Sequence, residues 1–276
     1  MKPNIDWQEL DLQREQFNKI GTLYPMEENV TVFMKSVSNV DCYFFTPSKV
    51  SSNRTVIYLH GGFYALGGIE SHRAFVSHLS FKLNARFIFI EYSLAPESPY
   101  PKGVQEVVNV YRELIEKGEG SNLFMMGDGS GCGLLLQTLH YIYKSSISAP
   151  EGIIMVSPWL DLNCNGANLF YNEENDKTLT MEKSLKYVSL YTGSDIEKES
   201  NPIEIEFDSF PRNFILVGDS ELLFENSLGF HESVQAVQPQ SELFIYKGAG
   251  HVWPLIDIDS EHSQELMDDI LEFLEE

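Results

Sequence analysis

Six short runs, residues 55–59, 86–90, 122–126, 152–156, 213–217 and 241–246, are apolar at most positions. A strand reads this way when both of its faces are buried, as in a parallel sheet covered by helices. Between the runs, residues 71–83, 102–117 and 133–143 carry apolar side chains at helical spacing, and residues 260–274 do so again. Strands alternating with helices of this length imply crossover connections, and these place helices on both faces of the sheet. Ahead of this alternation, residues 30–34 and 41–46 alternate in polarity around a Ser-Asn turn and predict a hairpin that makes the sheet mixed. The expected fold is therefore α/β, with a mostly parallel sheet in a single domain over residues 1–276. Two segments stand outside the pattern: an amphipathic helix over residues 5–20, and a polar, Asn-rich insertion over residues 160–202 with one helix near 181–191. In such sheets ligands bind beyond the carboxyl ends of the strands. Residues of about 1–25 and 160–202 are expected to form a small helical lid there.

Charge and cysteine usage narrow the function. The chain carries 19 basic against 41 acidic residues, a net −22. That field repels nucleic acid and anionic membranes. No apolar run is long enough to cross a bilayer, and the first residues lack the apolar core of a signal peptide. Cys42, Cys132 and Cys164 are odd in number and too far apart for a zinc cluster, so free thiols in a reducing, cytoplasmic setting are expected, with no metal.

The chemistry-bearing residues fall after strands. His60-Gly61-Gly62-Phe63-Tyr64 follows the third predicted strand, and glycine there lets backbone N–H groups approach a developing oxyanion. The same residues could also be no more than a tight turn. Gly127-Asp128-Gly129-Ser130-Gly131 lies between a strand and a helix. It lacks the Lys-Ser/Thr of a phosphate-binding loop but has the shape of a nucleophile elbow, Gly-x-Ser-x-Gly. Its register is displaced: Gly129 stands where the serine belongs, and Ser130 follows. Gly218-Asp219-Ser220-Glu221 ends the next-to-last strand, and His251 sits in a Gly-rich loop after the last one. His140, on an apolar helix, reads as a core residue.

Elbow, acid and histidine in this order follow the chain order of α/β-hydrolases. The sequence resembles the hormone-sensitive-lipase-like group of that fold, which includes many bacterial carboxylesterases and acetyl esterases. The segments HGGFYALGGIESHR, EYSLAPESPYP, MMGDGSGCG, SPWLDL, FPRNFILVGDSELL and GAGHVWP carry the resemblance, over residues 55–275. It implies an eight-stranded sheet, a lid over the site and no cofactor. It also implies Gly61 and Gly62 as oxyanion-hole residues, Glu221 as triad acid in preference to Asp219, and His251 as triad base. Two positions depart from the family pattern. Phe63 replaces a third loop glycine, and Gly129 replaces the nucleophilic serine.

Three readings of Gly129 stay open on sequence alone. Ser130 acts as a displaced nucleophile; the chain is a pseudoenzyme binding a ligand in the acyl cleft; or the glycine is an engineered substitution. The first makes the protein a carboxylesterase for a small neutral ester, with Ser130, Glu221 and His251 as catalytic residues. A homodimer is compatible with the sequence.

Overall fold

The computed structural model describes residues 5–49, 53–119, 122–164, 176, 178–193 and 196–275. Eight strands form one sheet: β1 (Val30–Val37), β2 (Val40–Pro47), β3 (Thr55–Leu59), β4 (Arg86–Ile90), β5 (Leu123–Asp128), β6 (Gly152–Val156), β7 (Arg212–Gly218) and β8 (Glu242–Tyr246). Their order is β1-β2-β4-β3-β5-β6-β7-β8. β1 and β2 pair antiparallel, β2 runs antiparallel to β4, and every pairing from β4 to β8 is parallel. The hairpin turns at Ser38 and Asn39, both with positive φ (50° and 62°), the backbone of a two-residue turn matched to strand twist.

The helices are α1 (Trp7–Asn18), α2 (Ile69–Lys82), α3 (Lys102–Glu116), α4 (Ser130–Lys144), α5 (Met181–Thr192), α6 (Phe224–Gln235), the short α7 (Trp253–Ile256) and α8 (Glu261–Glu275). Alternate residues of the central strands feed two cores. Ile57 and Leu59 of β3 pack with Val104, Val107 and Leu135 of α3 and α4. Val56 and Tyr58 pack with Phe75, Leu79 and Ile270 of α2 and α8 on the other face. Helices cover both faces because both faces are apolar.

Two differences from the sequence reading have local causes. α4 starts at Ser130 rather than at residue 133, because its glycines are packing residues: a β-carbon on Gly131 would meet the Leu59 carbonyl oxygen at 2.1 Å. The helix can lie this close to β3 only without that atom. α6 was not anticipated; its buried positions, Ser227, Phe230 and Val234, make a thin stripe with one polar member.

The two elements expected as a lid meet each other. Tyr187 Oη of α5 donates to Gln13 Oε1 of α1 at 2.5 Å, and Lys186 pairs with Glu9. Arg14 of α1 anchors this layer, donating to the Ala65 and Ala95 carbonyls and to both oxygens of Glu97. Residues 165–175 and 177 of the insertion lie outside the described residues.

Candidate active site

The carboxyl ends of β3, β5 and β6 and the loop after β8 converge on a cavity of about 290 Å³. Its walls include Phe17 of α1, Ile20 from the turn after it, Leu179 and Lys183 from the insertion, and Leu255 and Ile256 of α7. Its floor is Gly62, Phe63, Gly129, Ser130 and His251.

Glu221 follows β7 and is fully buried. Its Oε1 accepts from the Gly218 N–H at 2.6 Å and from Ser157 Oγ at 2.7 Å, and its Oε2 lies 3.0 Å from His251 Nδ1. Burial raises the Glu221 carboxyl above the usual range, and His251, Gly218 and Ser157 offset only part of that. A carboxylate at Nδ1 holds the ring proton there and leaves the Nε2 lone pair for the cavity. Asp219, the rival acid, accepts instead from the Gly248 N–H at 2.6 Å and ties down the loop that carries His251.

Ser157 directly follows β6 with φ 50°, and no sequence motif assigns it a role. Its hydroxyl donates to Glu221 and accepts the Val252 N–H at 3.0 Å, joining the acid to the backbone beside the histidine. Its one sequence signal is its place at a strand's carboxyl end, inside SPWLDL.

Gly129 joins β5 to α4 with φ 50° and ψ −119°, a conformation costly for most residues. A β-carbon built on it would lie 3.3 Å from His251 Nε2. A side chain at residue 129 would thus point at the free nitrogen of the histidine. Ser130 is buried, and its Oγ accepts the Tyr64 N–H at 3.2 Å. No hydrogen bond joins Ser130 to His251 among the described residues.

The oxyanion loop requires a correction. Gly61 was expected to offer its N–H to the substrate, but that N–H donates to Asp128 Oδ1 at 2.9 Å and is already used. Gly62 and Phe63 line the cavity, and neither N–H has a partner among the described residues. Phe63 and Tyr64 both take positive φ (57° and 60°), so the loop keeps its tight turn without a third glycine. Tyr64 holds it by stacking on Tyr191, ring centroids 3.9 Å apart.

Below the loop is a buried polar cluster the sequence reading missed. Asp128 Oδ1 also accepts from Tyr58 Oη at 2.8 Å and lies 3.4 Å from His72 Nε2. Burial alone would raise the Asp128 carboxyl, but His72, Tyr58 and the Gly61 N–H hold it below the usual range. His60 stacks on Tyr92 (4.4 Å), and its Nδ1 is 2.6 Å from the Gly61 carbonyl oxygen. Burial, with His72 nearby, pushes the His60 imidazole down to about 3, so it stays neutral. An acid directly after an apolar strand, inside a Gly-rich turn, was the available signal for Asp128.

None of the described residues forms a group of three or more His, Cys, Asp or Glu side chains able to hold a metal ion. No helix among them is long and apolar enough to cross a membrane.

Comparison with known proteins agrees with this geometry. The chain is 26% identical to an esterase of Acinetobacter venetianus over 230 residues, covering 82% of this chain and 76% of that protein. It is 28% identical to an acetyl-hydrolase of Streptomyces hygroscopicus over 246 residues, covering 88% and 80%. Among solved structures, an esterase/lipase from an uncultured bacterium superposes with a TM-score of 0.90 at 26% identity, over 99% of this chain and 92% of that one. An esterase of the bacterial hormone-sensitive lipase family superposes with a TM-score of 0.92 at 24% identity, over the same shares. A family model for the alpha/beta hydrolase fold matches residues 56–255, the span that holds the oxyanion loop, the elbow, the acid and the histidine, and the chain belongs to that family.

Proposed function

We propose that the protein hydrolyses small, neutral carboxylic esters with water as the attacking group. The observation that carries this reading is the pairing of Gly129 with His251: residue 129 has no side chain at a place that faces His251 Nε2, while Glu221 holds the opposite ring nitrogen. A water molecule in that space meets the same base. His251 Nε2 takes a proton as the water oxygen bonds to the ester carbonyl carbon. The resulting oxyanion is held by the Gly62, Phe63 and Ser130 N–H groups. On collapse the carbon–oxygen bond to the alcohol breaks, and Nε2 returns the proton to the leaving alkoxide. Products are one acid and one alcohol, and no acyl-enzyme forms. Glu221 keeps the proton on Nδ1 and stabilises the imidazolium, as the triad acid does elsewhere.

Ser130 as a displaced nucleophile is the second reading, because Ser130 lines the same cavity. It requires its hydroxyl to leave the Tyr64 N–H and turn toward His251, which would leave that buried donor unpaired. The names of the relatives, an esterase and an acetyl-hydrolase, support an ester substrate for either reading.

The deciding experiment is p-nitrophenyl acetate hydrolysis by the purified protein and by His251→Ala, with a fluorophosphonate probe followed by peptide mapping. The water reading expects slow turnover, lost in His251→Ala, and no labelled serine. Labelling at Ser130 supports the displaced nucleophile. Turnover unchanged in His251→Ala would overturn both.

The wider setting follows the same proposal. Three unpaired, buried cysteines fit a reducing cytoplasm. Edge strand β8 exposes Phe244 and Ile245, a surface suited to a homodimer. Light scattering in solution tests the dimer.

A further inference from the structure

We infer that the same cleft is a receptor for a free short-chain carboxylate, seated with one oxygen in the space left by the missing serine. The inference rests on the site assignment proposed above. In acyl transfer two oxygens flank one carbon, the carbonyl oxygen in the amide hole and the nucleophile's oxygen beside the base. A carboxylate carries both on its own carbon. With Gly129 in place of serine, no side chain of residue 129 reaches the second position, and beyond the adjoining residues the atom nearest to a β-carbon there is His251 Nε2 at 3.3 Å.

Each carboxylate oxygen then has a partner. One meets the Gly62, Phe63 and Ser130 N–H groups, with the first turn of the fifteen-residue α4 behind them. The other accepts from His251 Nε2–H, the ring taking up one proton from solvent as the carboxylate binds, while its opposite nitrogen is held by Glu221. The charged side chains around the ring include Glu221 beneath it, Asp128 before the elbow, Lys183 across the cavity and Asp176, which accepts from the Leu222 N–H at 2.9 Å and lies near Lys183. Asp128 is already held by Gly61, Tyr58 and His72. Lys183 is a cation, with its Nζ 4.9 Å from the centre of the Phe63 ring. An anion inside the cleft therefore meets donors and a cation, although the protein as a whole carries −22.

The rest of the wall selects the tail. Phe17, Ile20, Leu179, Leu255 and Ile256 are apolar, and about 290 Å³ suits a short aliphatic chain.

Titration calorimetry with sodium butyrate and sodium hexanoate tests the inference without any turnover. Saturable 1:1 binding is expected, with butyramide at least about tenfold weaker, because it brings no charge to the protonated ring. Gly129→Ala places a methyl group in the oxygen's position and should weaken butyrate by about tenfold or more. His251→Ala leaves the space but removes the partner, and should weaken it to a similar degree. Thermal melts establish that both variants are folded. Equal affinity of butyrate for wild type and Gly129→Ala, or no saturation by either acid, overturns the inference. Loss of binding in Lys183→Met alone would also overturn it, by moving the carboxylate to the lid. If butyrate binds as described but no ester is turned over, the hydrolase reading fails and the receptor stands. If His251-dependent hydrolysis is found and butyrate ignores Gly129, the receptor alone fails.

Discussion

Two buried carboxylates stand at the carboxyl ends of the sheet, and their partners match closely. Asp128, the last residue of β5, has the Gly61 N–H, the Tyr58 hydroxyl and His72. Glu221 after β7 has the Gly218 N–H, the Ser157 hydroxyl and His251. Yet one carboxyl is held below its usual range and the other is pushed above it. The histidines explain the different roles. His72 is fully buried against Tyr58 and Phe89, so the Asp128 set only pins the oxyanion loop. His251 borders the cavity, so in the proposed reaction the Glu221 set presents a base to a ligand. Similar donors around an acid thus serve a structural clamp or, on the proposed function, a catalytic pair according to what the far side of the ring faces.

Restoring the missing oxygen sharpens this contrast most. Gly129→Ser puts a hydroxyl between the elbow and His251 Nε2, and hydrolysis of a short activated ester should rise at least about 10²-fold. A stopped-flow burst of p-nitrophenol would mark the acyl-enzyme. In that background Glu221→Gln should remove most of the gain, about 10²-fold, with little change in melting temperature, since the ring proton is no longer held on Nδ1.

The clamp should fail differently. Asp128→Ala leaves the Gly61 N–H and the Tyr58 hydroxyl buried without an acceptor, at a cost of at least about 3 kcal/mol. Urea denaturation measures it. Stability at or near the wild-type value would show that Asp128 does not hold the loop.

Acid separates the two sites further. His60, with a pKa of about 3 folded against 6.5 unfolded, takes up its proton more readily in the unfolded chain. Its contribution is present above pH 6.5 and is lost as pH falls from there toward 3. Asp128, also depressed, adds a loss below its unfolded value of 3.8. Glu221 has the opposite sign: its raised pKa favours the fold at low pH, and that contribution is lost as pH rises through the folded value. Unfolding midpoints at pH 7, 5.5 and 4 should therefore decline, and His60→Phe, which keeps the stack on Tyr92, should flatten the decline.

The smallest effect belongs to Ser130. Ser130→Ala keeps its backbone N–H and removes only the acceptor for Tyr64. It should cost about 1 kcal/mol and change turnover less than about threefold. Complete loss of turnover would instead make Ser130 the nucleophile.

The order of strands and helices was legible in the sequence because burial on two faces leaves uninterrupted apolar runs, as in Thr55–Leu59 and Gly152–Val156. α6 was not, because a stripe of Ser227, Phe230 and Val234 is too thin to read as periodic. Glu221, His251 and Gly129 were singled out in the sequence by motif order together with the family resemblance. What each backbone group faces could not. Gly61 and Gly62 are adjacent and chemically identical in sequence, yet one N–H is taken by an aspartate sixty-seven residues away and the other borders the cavity. Ser130 and Ser157 are likewise equal as letters. Only the packing of β3 against β5, and of β6 against β7, turns the first hydroxyl to the Tyr64 N–H and the second to Glu221. Strand register and the loops leaving it fix those directions, and both depend on contacts between residues distant in the chain.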